Sequence, residues 1–193
     1  MELVFRTEPG DGNGNSGNYG NYGNESSESL LEQLQQRRLL LAAFCKLLLQ
    51  GILELRAASD VFKHYSKFHD DYGDIIRKTL RVARQLDCLE WARTVLLSLQ
   101  QLFTELLLQE GPDVRGLPEF QEIRDLGRRF SLFFRFQRLQ NRQALLQLHS
   151  EGIQFSLQPP EPPFLGGLPL NFSFLEVLSE FSPRLLPPER RAL

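Results

Sequence analysis

Leu89-Glu-Trp-Ala-Arg-Thr-Val-Leu-Leu-Ser-Leu-Gln-Gln-Leu-Phe-Thr-Glu-Leu-Leu-Leu-Gln109 is the stretch that decides the fold class. Ala92, Val95, Leu96, Leu99, Leu102, Phe103 and Leu106 recur at i, i+3, i+4, i+7, which is the spacing of one helix face. Gly111-Pro112 supplies the stop. On either side the same period continues. A capping box, Ser29-Leu30-Leu31-Glu32, opens a helix that runs through Leu34, Leu41, Phe44, Leu48 and Ile52. A shorter helix is expected from Ala57 to Phe68, with Val61, Phe62 and Tyr65 inward. Asp71 or Asp74 is the expected start of the next, with Ile76, Leu80 and Ala83 on its apolar side. Pro118 suits a first helical turn, and Phe120, Ile123, Leu126, Phe130, Phe133 and Phe134 follow it. Asn141 to Phe155 and Phe174 to Phe181 complete the series, separated by a proline-rich loop from Gln158 to Pro169.

No run alternates with period two for long enough to make a strand. The reading is an all-α chain, an α-solenoid of HEAT-like antiparallel helix pairs. Its divisions are a disordered Gly/Asn/Ser/Tyr-rich N-terminal loop at 1–28, a helical-repeat segment at 29–182 and a disordered tail at 183–193. The N-terminal tract carries few aliphatic side chains, so ordering it gains little against lost entropy. Its Gly12-x-Gly14-x-x-Gly17 copies the dinucleotide fingerprint but lacks the strand before and the helix after that the fingerprint needs.

Composition excludes more than it assigns. A formal charge of -2 names no partner. Arginine far outnumbers the four lysines, Lys46, Lys63, Lys67 and Lys78, and guanidinium forks suit carboxylates and phosphates. Cys45 and Cys88 lie far apart inside apolar helical patterns and read as buried free thiols in a reducing compartment. Met1-Glu-Leu-Val-Phe-Arg-Thr-Glu-Pro-Gly10 lacks the pattern of a secretory signal. Lys46, Gln50 and Glu54 interrupt the most apolar stretch, Leu39 to Leu55, so no membrane span is expected.

Catalytic constellations are lacking. His64 and His69 are five apart and do not share a helix face as zinc ligands at i, i+4 would. His149-Ser150-Glu151 are neighbours on one helix and cannot make a triad. His69-Asp70-Asp71-Tyr72-Gly73-Asp74 fails the EF-hand spacing; helix-start acids explain it. No enzyme activity, cofactor, metal or small-molecule substrate is expected. Two arginine faces remain as candidate sites for DNA or an acidic partner. One is Arg77, Arg81 and Arg84 at i, i+4, i+7, with Lys78 beside them. The other is the longer series Arg124, Arg128, Arg135, Arg138 and Arg142. The alternative for both is a solvated helix surface.

Specific strings then carry further than periodicity. In order they are Arg37-Arg38-Leu-Leu-Leu-Ala-Ala-Phe-Cys-Lys46, Ala57-Ala-Ser-Asp-Val-Phe-Lys-His-Tyr65 with Asp71-Tyr-Gly-Asp-Ile-Ile76, and Leu97-Ser-Leu-Gln-Gln-Leu-Phe103. Arg128-Arg-Phe130, Leu148-His149 with Glu151-Gly-Ile-Gln-Phe155, and Phe174-Leu-Glu-Val-Leu-Ser-Glu-Phe-Ser182 follow. Taken colinearly they resemble the stromalin (stromal antigen) subunits of cohesin, over about Arg37 to Arg190. Glu151 to Leu157 and Phe181 to Leu185 look most like the family's meiosis-specific member. The resemblance implies a helical-repeat scaffold that binds kleisin and other cohesin subunits, associates with chromatin in the nucleus and supports sister-chromatid cohesion. It also implies a fragment lying towards the C-terminal side of a longer protein. Gly127 stands where the family usually has alanine, and Arg135 where it usually has glycine.

Overall fold

The computed structural model describes residues 4–5, 23–134, 139–159 and 169–193. Among these residues there is no strand, and the chain is all-α. Its helices are α1 (Gly23–Leu49), α2 (Ser59–Phe62), α3 (His69–Leu86), α4 (Cys88–Glu110), α5 (Pro118–Ser131), α6 (Leu139–Ser156), α7 (Phe174–Ser179) and α8 (Pro187–Ala192), with 3-10 turns at Leu55–Ala58 and Ser182–Arg184.

Helix α4 is the hub. It is apolar on more than one side, so α3, α5, α6 and the α2 region can all pack against it. Trp91, Ala92, Val95, Leu99 and Phe103 are fully buried along its length. Asp87 caps its start, accepting hydrogen bonds from the Leu89 and Glu90 amides at 3.0 and 2.9 Å. Gly111, at φ 83°, ends it. Helix α1 lies on α3 through Leu41, Cys45 and Leu48, each buried and four or three residues from the next. At that interface Arg38 bridges to Asp74 at 2.6 Å and donates to the Asp71 carbonyl. Leu30, Leu31, Leu39 and Leu40 on the same helix stay exposed.

Several boundaries differ from the sequence expectation. Helix α1 is already running at Gly23, so the Ser29 capping box falls inside a helix. The stretch Ala57 to Phe68 is a 3-10 turn, one short α-helical turn and a series of turns rather than one helix. Helix α3 opens at His69 behind Phe68, with no side-chain cap, so Asp71 is a first-turn residue and Asp74 lies within the helix. The segment 183–193, expected as a disordered tail, forms the end of a 3-10 turn and α8. Leu185 is buried, and Glu189 holds Arg142 at 2.6 Å, so the tail has both an apolar and an ionic anchor. The proline-rich loop falls largely outside the described residues, as does most of the Gly/Asn/Ser/Tyr tract. Val4 and Phe5 are described and buried: Phe5 stacks on His64 at 4.1 Å, and Tyr72 donates to the Val4 carbonyl at 3.2 Å.

Candidate interaction surface

The first arginine face is built by the amphipathicity of α3. Tyr72, Ile76, Leu80 and Ala83 take the buried side, which leaves Arg77, Arg81 and Arg84 along one flank. All three line a groove of about 450 Å³, completed by Tyr65, Gln85, Arg129, Leu132 and Phe133. The Arg77 Nε donates to the Tyr65 hydroxyl at 3.2 Å, which raises the guanidinium pKa further. Arg84 donates to the Phe133 carbonyl. Arg81 and Arg129 are exposed and make no hydrogen bond or ion pair through their side chains among the described residues. Among the described residues no carboxylate lines the groove. Lys78 is exposed beside this groove but does not line it.

The second face is organised differently. Arg124 and Arg128 converge on Glu180, at 2.9 and 3.0 Å, and Arg124 also approaches Glu176 at 3.9 Å. Burial alone would raise the Glu180 pKa, but hydrogen bonds from Arg128 and Arg124 outweigh it and hold the carboxyl below its ordinary range. Arg142 is committed to Glu189. These side chains tie α5 and α6 to the last two helices. Arg135 and Arg138 lie outside the described residues.

Arg129 is the groove residue that the sequence reading passed over. It follows Arg128 by one position, about 100° around the helix, and precedes the fully buried Phe130. Its membership depends on how α5 sits against α3, which periodicity within one helix does not report. Tyr65 and Phe133 were assigned to the core, yet each also contributes to the groove wall. Asp125, three residues before Arg128 and 3.5 Å from it, is a local partner, but Glu180 and Glu189, which claim Arg124, Arg128 and Arg142 from other elements, are 47 to 56 residues away in sequence, beyond any local spacing rule.

His64, His149 and the two cysteines lie among the packed helices. Burial, helped by Lys63 and Lys67, lowers the His64 pKa to about 4. Burial also lowers that of His149, whose Nδ1 lies 3.0 Å from the Leu145 carbonyl. It raises both thiols, and the Cys88 thiol donates to the Asn141 amide oxygen at 3.1 Å. Among the described residues no group of three His, Cys, Asp or Glu could hold a metal ion. No helix among them is long and apolar enough to cross a membrane.

Comparison with known proteins adds identity to this geometry. Cohesin subunit SA-3 of Homo sapiens is 54% identical over 195 residues, matching 100% of this chain and 15% of the relative. Cohesin subunit SA-1 of Xenopus laevis is 45% identical over 164 residues, 84% of this chain and 13% of the relative. Cohesin subunit scc-3 of Caenorhabditis elegans is 29% identical over 163 residues, again 84% of this chain and 15% of the relative. The chain thus spans about 15% of the length of the human protein. The STAG protein C-terminal domain matches residues 88–193, from the first turn of α4 to the end of α8. That match takes in more than half of the sequence, including the hub helix and the helices packed on its C-terminal side, and the chain therefore belongs to the STAG protein family.

Proposed function

We propose that the chain is a non-catalytic scaffold segment of a cohesin subunit, acting on chromosomes in the nucleus. In this reading it supports sister-chromatid cohesion and chromosome segregation in meiosis by binding kleisin and chromatin. The observation that carries the reading is 54% identity along the whole chain to a protein named cohesin subunit SA-3. The physical chemistry supports it. Burial lowers the pKa of His64 and His149, the thiols are buried, and ion pairs such as Arg38–Asp74, Arg124–Glu180 and Arg142–Glu189 join separate parts of the chain. Such a surface works by shape and charge complementarity. The rival reading, DNA bound directly through both arginine faces, has less support. Arg124, Arg128 and Arg142 already face carboxylates of their own chain, and neutralising phosphate would require breaking those pairs.

The test is recovery of kleisin with the tagged parent protein from meiotic cells, beside recovery from mitotic cells of the same organism. The expected result is co-recovery of kleisin from the meiotic cells. A parent protein that brings down no kleisin there would overturn the reading. Equal recovery from mitotic cells would remove the meiotic part of it.

A further inference from the structure

We propose that the groove between α3 and the end of α5 is a docking site for an acidic peptide segment of a partner protein, one in which acidic residues alternate with apolar ones. This goes beyond the scaffold reading, because it assigns a surface and a ligand chemistry without depending on which protein supplies the peptide.

Charge is the first argument. Arg77, Arg81 and Arg129 face the groove, and none has a carboxylate partner among the described residues. Elsewhere in the molecule arginines find acids: Arg38, Arg93, Arg115, Arg124, Arg128 and Arg142 all close ion pairs. Arg77 and Arg81, at i and i+4, repel one another on the same helix face. A ligand carrying carboxylates relieves that repulsion and can engage the guanidinium forks two bonds at a time.

Shape separates a peptide from a nucleic acid. The groove is concave, and its wall is not only basic: Leu132 is 62% exposed, and Phe133 and Tyr65 add ring surface beside it. A phosphodiester backbone gains nothing from an exposed leucine, whereas an apolar side chain does. Register also fits. Arg77 and Arg81 are separated by about 6 Å of helix rise. Side chains two apart on an extended peptide point the same way, about 6.7 Å apart. A peptide lying along α3 therefore sets successive acids against successive arginines. The intervening side chains then point the other way, towards Leu132 and Phe133.

The test uses the full 193-residue chain and fluorescence anisotropy with three labelled probes. These are the peptide Gly-Ser-Glu-Phe-Glu-Phe-Glu-Ser-Gly, the same peptide with serine for both phenylalanines, and a short DNA duplex. The phenylalanine peptide should bind more tightly than the serine peptide. The triple variant Arg77→Glu, Arg81→Glu, Arg129→Glu, checked for unchanged helicity, should lose about tenfold or more in affinity for it, the loss of one or two strong contacts. Leu132→Ser keeps every charge; it should weaken the phenylalanine peptide and leave the serine peptide and the duplex unchanged. Absence of peptide binding overturns the proposal, as does binding that the triple variant retains. Duplex binding lost in the triple variant, with no effect of Leu132→Ser on the phenylalanine peptide, would make the groove a phosphate surface instead.

Discussion

Gly127 and Gly152 both sit inside helices and both face α7, yet a methyl group at each would meet different surroundings. At Gly127 a Cβ would lie 3.4 Å from the Val177 Cγ1 and 3.5 Å from the Phe181 ring, which is ordinary contact. Alanine there should keep the packing and gain the helix propensity that glycine forfeits, about 1 kcal/mol. At Gly152 the same atom would stand 2.5 Å from the Leu178 Cδ2. Leu178 is buried, and its Cδ1 and Cγ would also stand 2.8 and 3.1 Å from the new methyl, so overpacking of about 1–3 kcal/mol is expected. Thermal unfolding should therefore show Gly127→Ala melting about 2–4 °C above the parent and Gly152→Ala below it. A Gly127→Ala variant that melts lower would mean α7 presses closer than described. The resemblance singled out Gly127 as unusual, but sequence could not say which of the two glycines has room. That answer lies in α7, at least 22 residues away along the chain. Arg129 escaped notice for the same kind of reason: its neighbours in sequence describe its helix, and its function depends on another one.

Helix α4 shows what one segment can announce by itself. Its stripe, its Gly111-Pro112 stop and its start near Leu89 were all legible, because each is decided within a few residues. The cap is equally local: Asp87 accepts from two amides that would otherwise lack intrahelical partners. Asp87→Ala should cost about 1 kcal/mol of stability, read as a shift of the urea midpoint with an unchanged slope. Loss of helix α4 itself is not expected, since its buried face is held by its neighbours on several sides. Helix α3 was placed less well because its first turn has no side-chain signal: the residue before it is Phe68, and acids at 70, 71 and 74 compete for the role of starter. The tail failed for another reason. Three prolines and three arginines within 183–193 read as unstructured, whereas prolines at the first positions of α8 suit a helix start. The anchor that keeps α8 in place, Arg142 to Glu189, spans 47 residues.

Across the molecule as a whole, the all-α architecture was readable because every apolar stripe demanded a neighbour, but which helix would sit at the centre was not. Packing around α4 emerges from several faces at once, and no stripe alone encodes it. The same burial sets the pH range of the fold. His64 is pushed from 6.5 to about 4, and His149 is lowered too. Below about pH 6.5 the unfolded chain takes up protons that the folded chain refuses, so stability should fall steadily towards pH 4. Glu180 adds to this acid loss as the pH drops below its ordinary range, because its folded pKa is lowered. At the other end the raised thiols of Cys45 and Cys88 stay protonated while the unfolded chain ionises, and stability should decline above about pH 9. Urea midpoints measured from pH 4 to 10 should trace a plateau between these limits, with a shallower acid limb in His64→Gln; an unchanged limb would place the acid loss elsewhere. Finally, the chain contains one tryptophan. Trp91 is fully buried, 4.9 Å from the Phe134 ring and 6.3 Å from that of Phe133, and Phe133 also walls the arginine groove. The protein thus carries a built-in optical probe. Its indole emission should be blue-shifted in the native state, and any ligand that displaces Phe133 should change that emission with no dye attached.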